Sequence, residues 1–216
     1  MKSKYFYILG SVLLLMFYLF SREVKGGFLK KVDFDTTVKV QERIDTSSRL
    51  RLASIVGDVM EGTTFFASPE VSVGAIILLT LFAFSKIKLR AFVIPILFGL
   101  LVMGEIYGKN VVHHPSPPFF MIKNPSTIFP KYYINNDFSY PSGHASRAVF
   151  MSFLIWLFIQ RKMWLGIMLA IYVFAVSISR IYLGHHWLSD ILGGALLGGG
   201  LGLLTAGLIS PIIDKQ

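Results

Sequence analysis

The chain has 216 residues, of which 54% are AVILMFWYC and only 15% are charged. A soluble domain carries about a quarter charged residues, so this composition excludes an ordinary soluble fold and points to lipid. Cysteine is absent, which excludes disulfides, thiolate nucleophiles and zinc–thiolate centres. The formal net charge of +9 reads, in so apolar a chain, as loops anchored against anionic headgroups and not as a nucleic-acid surface.

The first apolar run is Tyr5–Phe20, behind "MKSK". No A-x-A-like cleavage site follows it, so a retained span is expected and not a removed signal. The stretch from Ser21 to about Gly62 mixes apolar and charged residues, and an amphipathic surface helix is expected from Phe34 to Val59. The second run, Val71–Ser85, falls short of the roughly 20 residues a span needs. Starting it at Ser68 repairs this, because Ser68-Pro69-Glu70 supplies a cap, a first-turn proline and an early acid. The third run is Ala91–Tyr107, followed by a polar, proline-marked loop from about Gly108 to Pro141. The fourth is Gly143–Ile159, the fifth Met163–Tyr182, and the sixth Leu188–Ile209 after the turn "YLGHHW". The expected fold is therefore all-α: one polytopic membrane domain over residues 1–216, with six transmembrane helices and no internal repeat.

The basic clusters "MKSK", "KIKLR" at 86–90, "QRK" at 160–162 and Lys215 fall on one side of this arrangement. The positive-inside rule makes that side cytoplasmic, with both termini, and puts the loop 108–141 and the turn 182–187 outside. In the last helix Gly194, Gly198 and Gly202 repeat every four residues, a stripe that permits close helix approach. Phe119, Phe120, Tyr132, Tyr133 and Trp187 read as interfacial anchors.

All five histidines lie in or beside the two outer loops: His113, His114, His144, His185 and His186. Charged residues join them at helix ends: Glu105 and Lys109, Arg147 one turn after His144, Arg180, and Asp190 four residues after His186. A single charge near an interface can snorkel to water. A whole set at helix ends favours a site, because ionisable groups in membrane segments are costly. Lysine and arginine supply fixed positive charge. "PSGH" puts serine and glycine at a helix start, where free N–H groups and the helix dipole attract an anion. Two histidines offer a nucleophile and an acid, and Asp190 can fix the tautomer of His186. This is equipment for phosphoryl transfer to histidine and then to water.

The motifs resemble those of the type 2 phosphatidic acid phosphatase superfamily, also called lipid phosphate phosphatases. The family pattern is K-x6-R-P, P-S-G-H and S-R-x5-H-x3-D. Pro141-Ser142-Gly143-His144 matches the second part, and Ser179-Arg180 with His186 and Asp190 matches the third. The resemblance covers nearly the whole chain and is that of a bacterial-type, six-helix member. It implies that His186 is the nucleophile, that Asp190 orients it and that His144 protonates the leaving oxygen. Lys109, Arg180, Ser142 and the Gly143 backbone would hold phosphate oxygens, with no metal ion and no cofactor. It also implies a plasma-membrane enzyme whose partners are a lipid phosphate and the bilayer, with no nucleic acid.

The first motif departs from the pattern, since Ser116 stands where arginine is expected, followed by Pro117. Serine carries no charge and no bidentate fork. Arg147, and less readily His114, are the candidates to replace the missing charge; alternatively the substrate headgroup differs. The proline-rich "HHPSPPFF" can also serve only to shape the loop. Two other readings compete: a metal-dependent hydrolase using the histidines and Asp190, and a binder or transporter without catalysis. Adjacent histidines on a helix point about 100° apart, which weakens the first. Undecaprenyl diphosphate, phosphatidylglycerol phosphate, phosphatidic acid and lipid A phosphates all fit the residues as substrates.

Overall fold

The computed structural model describes residues 3–47, 50–123, 137–159 and 162–213. Gln160, Arg161, Lys215 and the aromatics Tyr132 and Tyr133 lie outside them. Among the described residues the fold is all-helical, without a strand. Helix α1 spans Ser3–Lys25, α2 Lys30–Ser47, α3 Leu50–Phe65 and α4 Pro69–Ile87. Helix α5 spans Val93–Val112, α6 Gly143–Phe158, α7 Met163–Tyr182 and α8 Leu188–Ile213.

Local chemistry sets most of the boundaries. Helix α1 runs past the apolar segment because Ser21–Lys25 contains no breaker, and it stops at Gly26-Gly27, where Gly27 takes φ 75°. Ser68 caps α4 by accepting the Val71 N–H at 3.3 Å. Helix α5 continues to Val112 and ends at left-handed His113, two residues before Pro115. The stretch expected to be one amphipathic helix over Phe34–Val59 is two helices, α2 and α3. The polar stripe of α2 faces the protein: Asp33 and Thr37 are buried, while Val32 and Phe34 are exposed.

Four described stretches are long and apolar enough to cross a membrane: Ser3–Lys25, Pro69–Val112, Met163–Tyr182 and Leu188–Ile209. Helix Gly143–Phe158 is apolar but shorter. Pro69–Val112 is folded back on itself by a 3₁₀ turn at Lys88–Phe92. Near the start of α4, the Ala67 carbonyl receives the Arg147 Nε–H of early α6 at 3.2 Å. Near its end, Phe82 meets Phe158 at 5.9 Å between ring centres. Helix α4 therefore runs with α6. Helix α5 runs against it, with Phe98 on Phe150 and Glu105 on Ser146. One end of the bundle thus gathers the turn with Lys86, Lys88 and Arg90. The other gathers α2, α3, the loop after α5, and the starts of α6 and α8.

Helix α8 is the centre. A Cβ on Gly194 would lie 2.4 Å from the Ser142 carbonyl, and one on Gly198 would lie 2.1 Å from that of Ser146. The glycine stripe therefore seats α6 directly on the α8 backbone. On the other flank, a Cβ on Gly10 of α1 would meet the Gly200 carbonyl at 2.9 Å. In lipid, such close packing holds helices together where the hydrophobic effect between them is lost. Leu101, Phe150, Leu154, Leu197 and Leu201 fill the space between α5, α6 and α8. Leu78, Leu81, Ile96, Met103, Ile171 and Phe174 face outward, a surface that suits a membrane protein.

A buried ion pair ties α5 to α6. Arg147 Nη1 donates to Glu105 Oε2 at 2.7 Å, with both side chains less than a tenth exposed. Ser146 donates to the other carboxylate oxygen.

Two stability tests follow from this packing. Gly198→Val should lower the thermal midpoint in detergent, because overpacking costs about 1–3 kcal/mol of stability. Gly99→Ala, where a Cβ meets nothing within 4 Å, should be neutral or stabilising. Glu105→Leu strands a buried guanidinium and should cost about 3–5 kcal/mol. The double variant Glu105→Leu/Arg147→Met should melt above that single variant; a thermal double-mutant cycle in detergent decides it.

Candidate active site

The site is built where the end of α7 turns into α8. Gly184 adopts φ 70°, and His185 N–H donates to the Arg180 carbonyl while Gly184 N–H donates to that of Ile181. This is a Schellman closure of α7, and it folds His186 back over Arg180. A Cβ on Gly184 would strike the Met121 carbonyl at 2.2 Å, so only glycine fits here.

Helix α8 then starts with free N–H groups that carboxylates satisfy. Asp190 Oδ2 accepts the Trp187 N–H at 2.9 Å. Asp33 of α2 accepts both the Ser189 N–H and the Ser189 hydroxyl at 2.8 Å. Asp190 is wholly buried and takes two further donors. His186 Nδ1–H donates to Oδ2 at 3.3 Å, and His114 Nδ1–H donates to Oδ1 at 2.9 Å. With Nδ1 bound to the carboxylate, His186 keeps Nε2 as its free lone pair.

Burial drives the His186 pKa down to about 4 against the opposing pull of its Asp190 hydrogen bond; Arg180 and Lys109 push it lower. His186 is thus neutral at physiological pH. His185 is lowered to about 3, by burial first and then by Arg180 and His186. Asp33 is raised by burial, with the Ser189 hydrogen bonds opposing.

Ser142 opens α6. Its Oγ accepts the Ala145 N–H at 3.5 Å, and its own N–H donates to the Asp190 carbonyl at 2.9 Å. The hydroxyl proton remains able to donate. Gly143 is the first helical residue. His144 lies within electrostatic reach of Arg180, His186 and His185. Arg180 Nε is buried and has no hydrogen-bond partner among the described residues, and neither does His185 Nδ1.

The structure thus brings together His186, Asp190, His144, Lys109, Arg180, Ser142 and Gly143. Two candidates for the missing guanidinium are already engaged: Arg147 by Glu105 and His114 by Asp190. Glu105 turns to Arg147 and Ser146, not to Lys109 one turn away. Ser116 sits in a pinned loop: its N–H donates to the Asp137 carbonyl at 3.2 Å, and Trp187 Nε1–H donates to the Pro115 carbonyl at 2.7 Å. His113 packs edge-on against Phe138.

Sequence reasoning missed the inner face of α2. Asp33, Thr37, Gln41 and Asp45 recur every four residues. Gln41 donates to the Met121 and Tyr182 carbonyls at 2.8 and 2.9 Å, and Asp45 pairs with Lys123. That spacing is their trace in the sequence, and it shows a shared face without showing what the face meets.

Known proteins resemble this chain. A segment of 99 residues is 39% identical to the bacitracin transport permease protein BcrC of Bacillus licheniformis, covering 45% of this chain and 46% of that one. A segment of 106 residues is 35% identical to an undecaprenyl-diphosphatase of Sulfolobus acidocaldarius, covering 49% and 48%. A shorter segment is 43% identical to the lipid A 4'-phosphatase of Bacteroides thetaiotaomicron, covering 29% and 27%. The chain thus spans about half the length, or less, of these relatives. The fold is that of a transmembrane PAP2-type phosphatidylglycerolphosphate phosphatase from Bacillus subtilis, at TM-score 0.70 and 21% identity over 94% of this chain and 96% of that one. The family model of the PAP2 superfamily matches residues 89–212, which hold all three motif regions and more than half of the sequence, and the chain belongs to that superfamily.

Proposed function

We propose that this protein is an integral-membrane phosphatase of lipid phosphates or diphosphates that works through a phosphohistidine. The observation that carries this reading is the Asp190–His186 pair beside Arg180, whose buried Nε has no hydrogen-bond partner among the described residues. Asp190 holds Nδ1–H, so Nε2 of neutral His186 attacks phosphorus. The N–P bond forms as the bond from phosphorus to the lipid-side oxygen breaks, and His144 gives that oxygen a proton. His144 then takes a proton from water as the water oxygen attacks, the N–P bond breaks and phosphate leaves. Lys109, Arg180, Ser142 and the start of α6 at Gly143 hold the phosphate oxygens. Arg147 is a structural cation held by Glu105, so the phosphate is held by two cations where the family pattern has three.

The residues need no metal for these steps. Names of relatives set the substrate panel, with undecaprenyl diphosphate first, then phosphatidylglycerol phosphate, lipid A phosphate and phosphatidic acid. Phosphate release from this panel in detergent, in excess chelator, tests the reading. His186→Ala should lose at least about a thousandfold in kcat while its thermal midpoint stays near the parent's. Substantial turnover by purified His186→Ala removes the nucleophile from this position.

In the membrane we place six spans, α1, α4, α5, α6, α7 and α8, in a single domain. The turn with Lys86, Lys88 and Arg90 faces the cytoplasm and the site faces outward. Asp137 and Lys162 are exposed, and the chain has no cysteine to interfere. Asp137→Cys should react with a membrane-impermeant thiol reagent in intact cells, and Lys162→Cys should not. The reverse pattern inverts the topology.

A further inference from the structure

Asp190 serves two histidines, and the reaction above uses only one. His186 binds Oδ2; His114, from the loop after α5, binds Oδ1 at 2.9 Å, shorter than the His186 contact at 3.3 Å. The other ring nitrogen of His114, Nε2, lies 3.8 Å from Oδ2 of Asp33, which is fixed by the two donors of Ser189. His114, Asp33 and Asp190 are each 5% exposed or less. Four groups from α2, the α5–α6 loop, the α7–α8 turn and α8 therefore form one line: Asp33, His114, Asp190, His186.

We propose that His114 is a positioning residue for the nucleophile, acting through Asp190 and backed by Asp33. This rests on the reading of His186 as the attacking group. The physical basis is the limited capacity of one carboxylate. A donor on Oδ1 fixes the plane of the carboxylate, and so the direction in which Oδ2 holds His186. It also draws negative charge away from Oδ2. Without that donor, Asp190 is held at Oδ2 alone, by the Trp187 N–H and His186, and its charge falls more fully on His186, which favours the imidazolium. The groups facing His114 are Asp33 from α2, and Asp190 and the Trp187 ring from the α8 side. His114 contacts no phosphate in this scheme, so its loss affects turnover and not substrate capture.

The experiment compares His114→Ala, His114→Asn and His186→Ala in detergent, with kcat and KM measured from pH 4 to 9 on whichever panel lipid the parent hydrolyses. An asparagine places its amide N–H near the position of Nδ1 and so keeps the donor to Asp190. In the parent, kcat/KM falls on the acid side as His186 is protonated near pH 4. His114→Ala should move that acid limb up by at least about one pH unit. It should also lower kcat about tenfold or more, with KM within about threefold. His114→Asn should return the limb toward the parent's and recover most of kcat. A parent-like kcat and limb in His114→Ala overturns the proposal. So do equal losses in both variants with an unmoved limb, which would mark His114 as packing alone. If His114→Ala does not fold, an unmoved limb with parent-like kcat in the folded His114→Asn supports the proposal, and a kcat loss of tenfold or more there overturns it. Full activity of His186→Ala overturns the underlying reading, and this inference with it; an inactive His186→Ala beside an unaffected His114→Ala overturns this inference alone.

Discussion

A carboxylate shut away from water has to be surrounded by donors, and Asp190 is surrounded by three: the His114 and His186 rings and the Trp187 N–H. Its own backbone carbonyl receives a fourth, from Ser142. These four bonds join the loop after α5, the turn after α7, the start of α8 and the start of α6. Each of those segments is irregular backbone at a helix end, where orphan polar groups would otherwise remain unmatched. The geometry of the site is therefore largely the geometry of one satisfied anion. The glycine stripe makes this possible, because Gly194 and Gly198 let α6 come close enough for Ser142 to reach the Asp190 carbonyl.

Two arginines on neighbouring helices show how placement separates structure from chemistry. Arg147 lies one turn into α6 and meets Glu105 from α5, which balances its charge, and the Ala67 carbonyl, which takes its Nε–H. Arg180 lies in the last turn of α7, less deeply buried as a whole, but its Nε is buried and unmatched among the described residues. A buried guanidinium is tolerable only with an anion beside it. The first arginine carries its anion within the fold; the second is the one assigned to the phosphate in the proposed reaction.

Much of this was legible in the sequence because its signals are local. Apolar run length marks the helices, Ser68-Pro69-Glu70 announces the start of α4, and His186 and Asp190 meet because four residues are one helical turn. The two complete motifs lie at helix ends, where their spacing alone implies contact. The unread part is non-local. Nothing in the chain says that His114 turns to a residue 76 positions on, or that Arg147 finds Glu105. The inner stripe of α2 was misread for a different reason. A polar residue every fourth position looks the same whether that face meets water or a buried site. The polarity of its neighbours did not decide between them, since the exposed face of α2 carries Val32 and Phe34.

The line from Asp33 through His114 and Asp190 to His186 also has a direction in time. A chain is made from its N-terminus, so α2 and the loop after α5 exist before the last two helices are complete. Asp33 and His114 belong to the early part, Asp190 and His186 to the late part. Until α8 has entered the bundle, Asp33 has no Ser189 to cap and His114 has no carboxylate to bind. Asp33 and His114 thus gain Ser189 and Asp190 as partners only with the last helix. A chain cut short before α8 would retain Asp33 and His114 without Asp190, the carboxylate that ties the loop after α5 to the last helix.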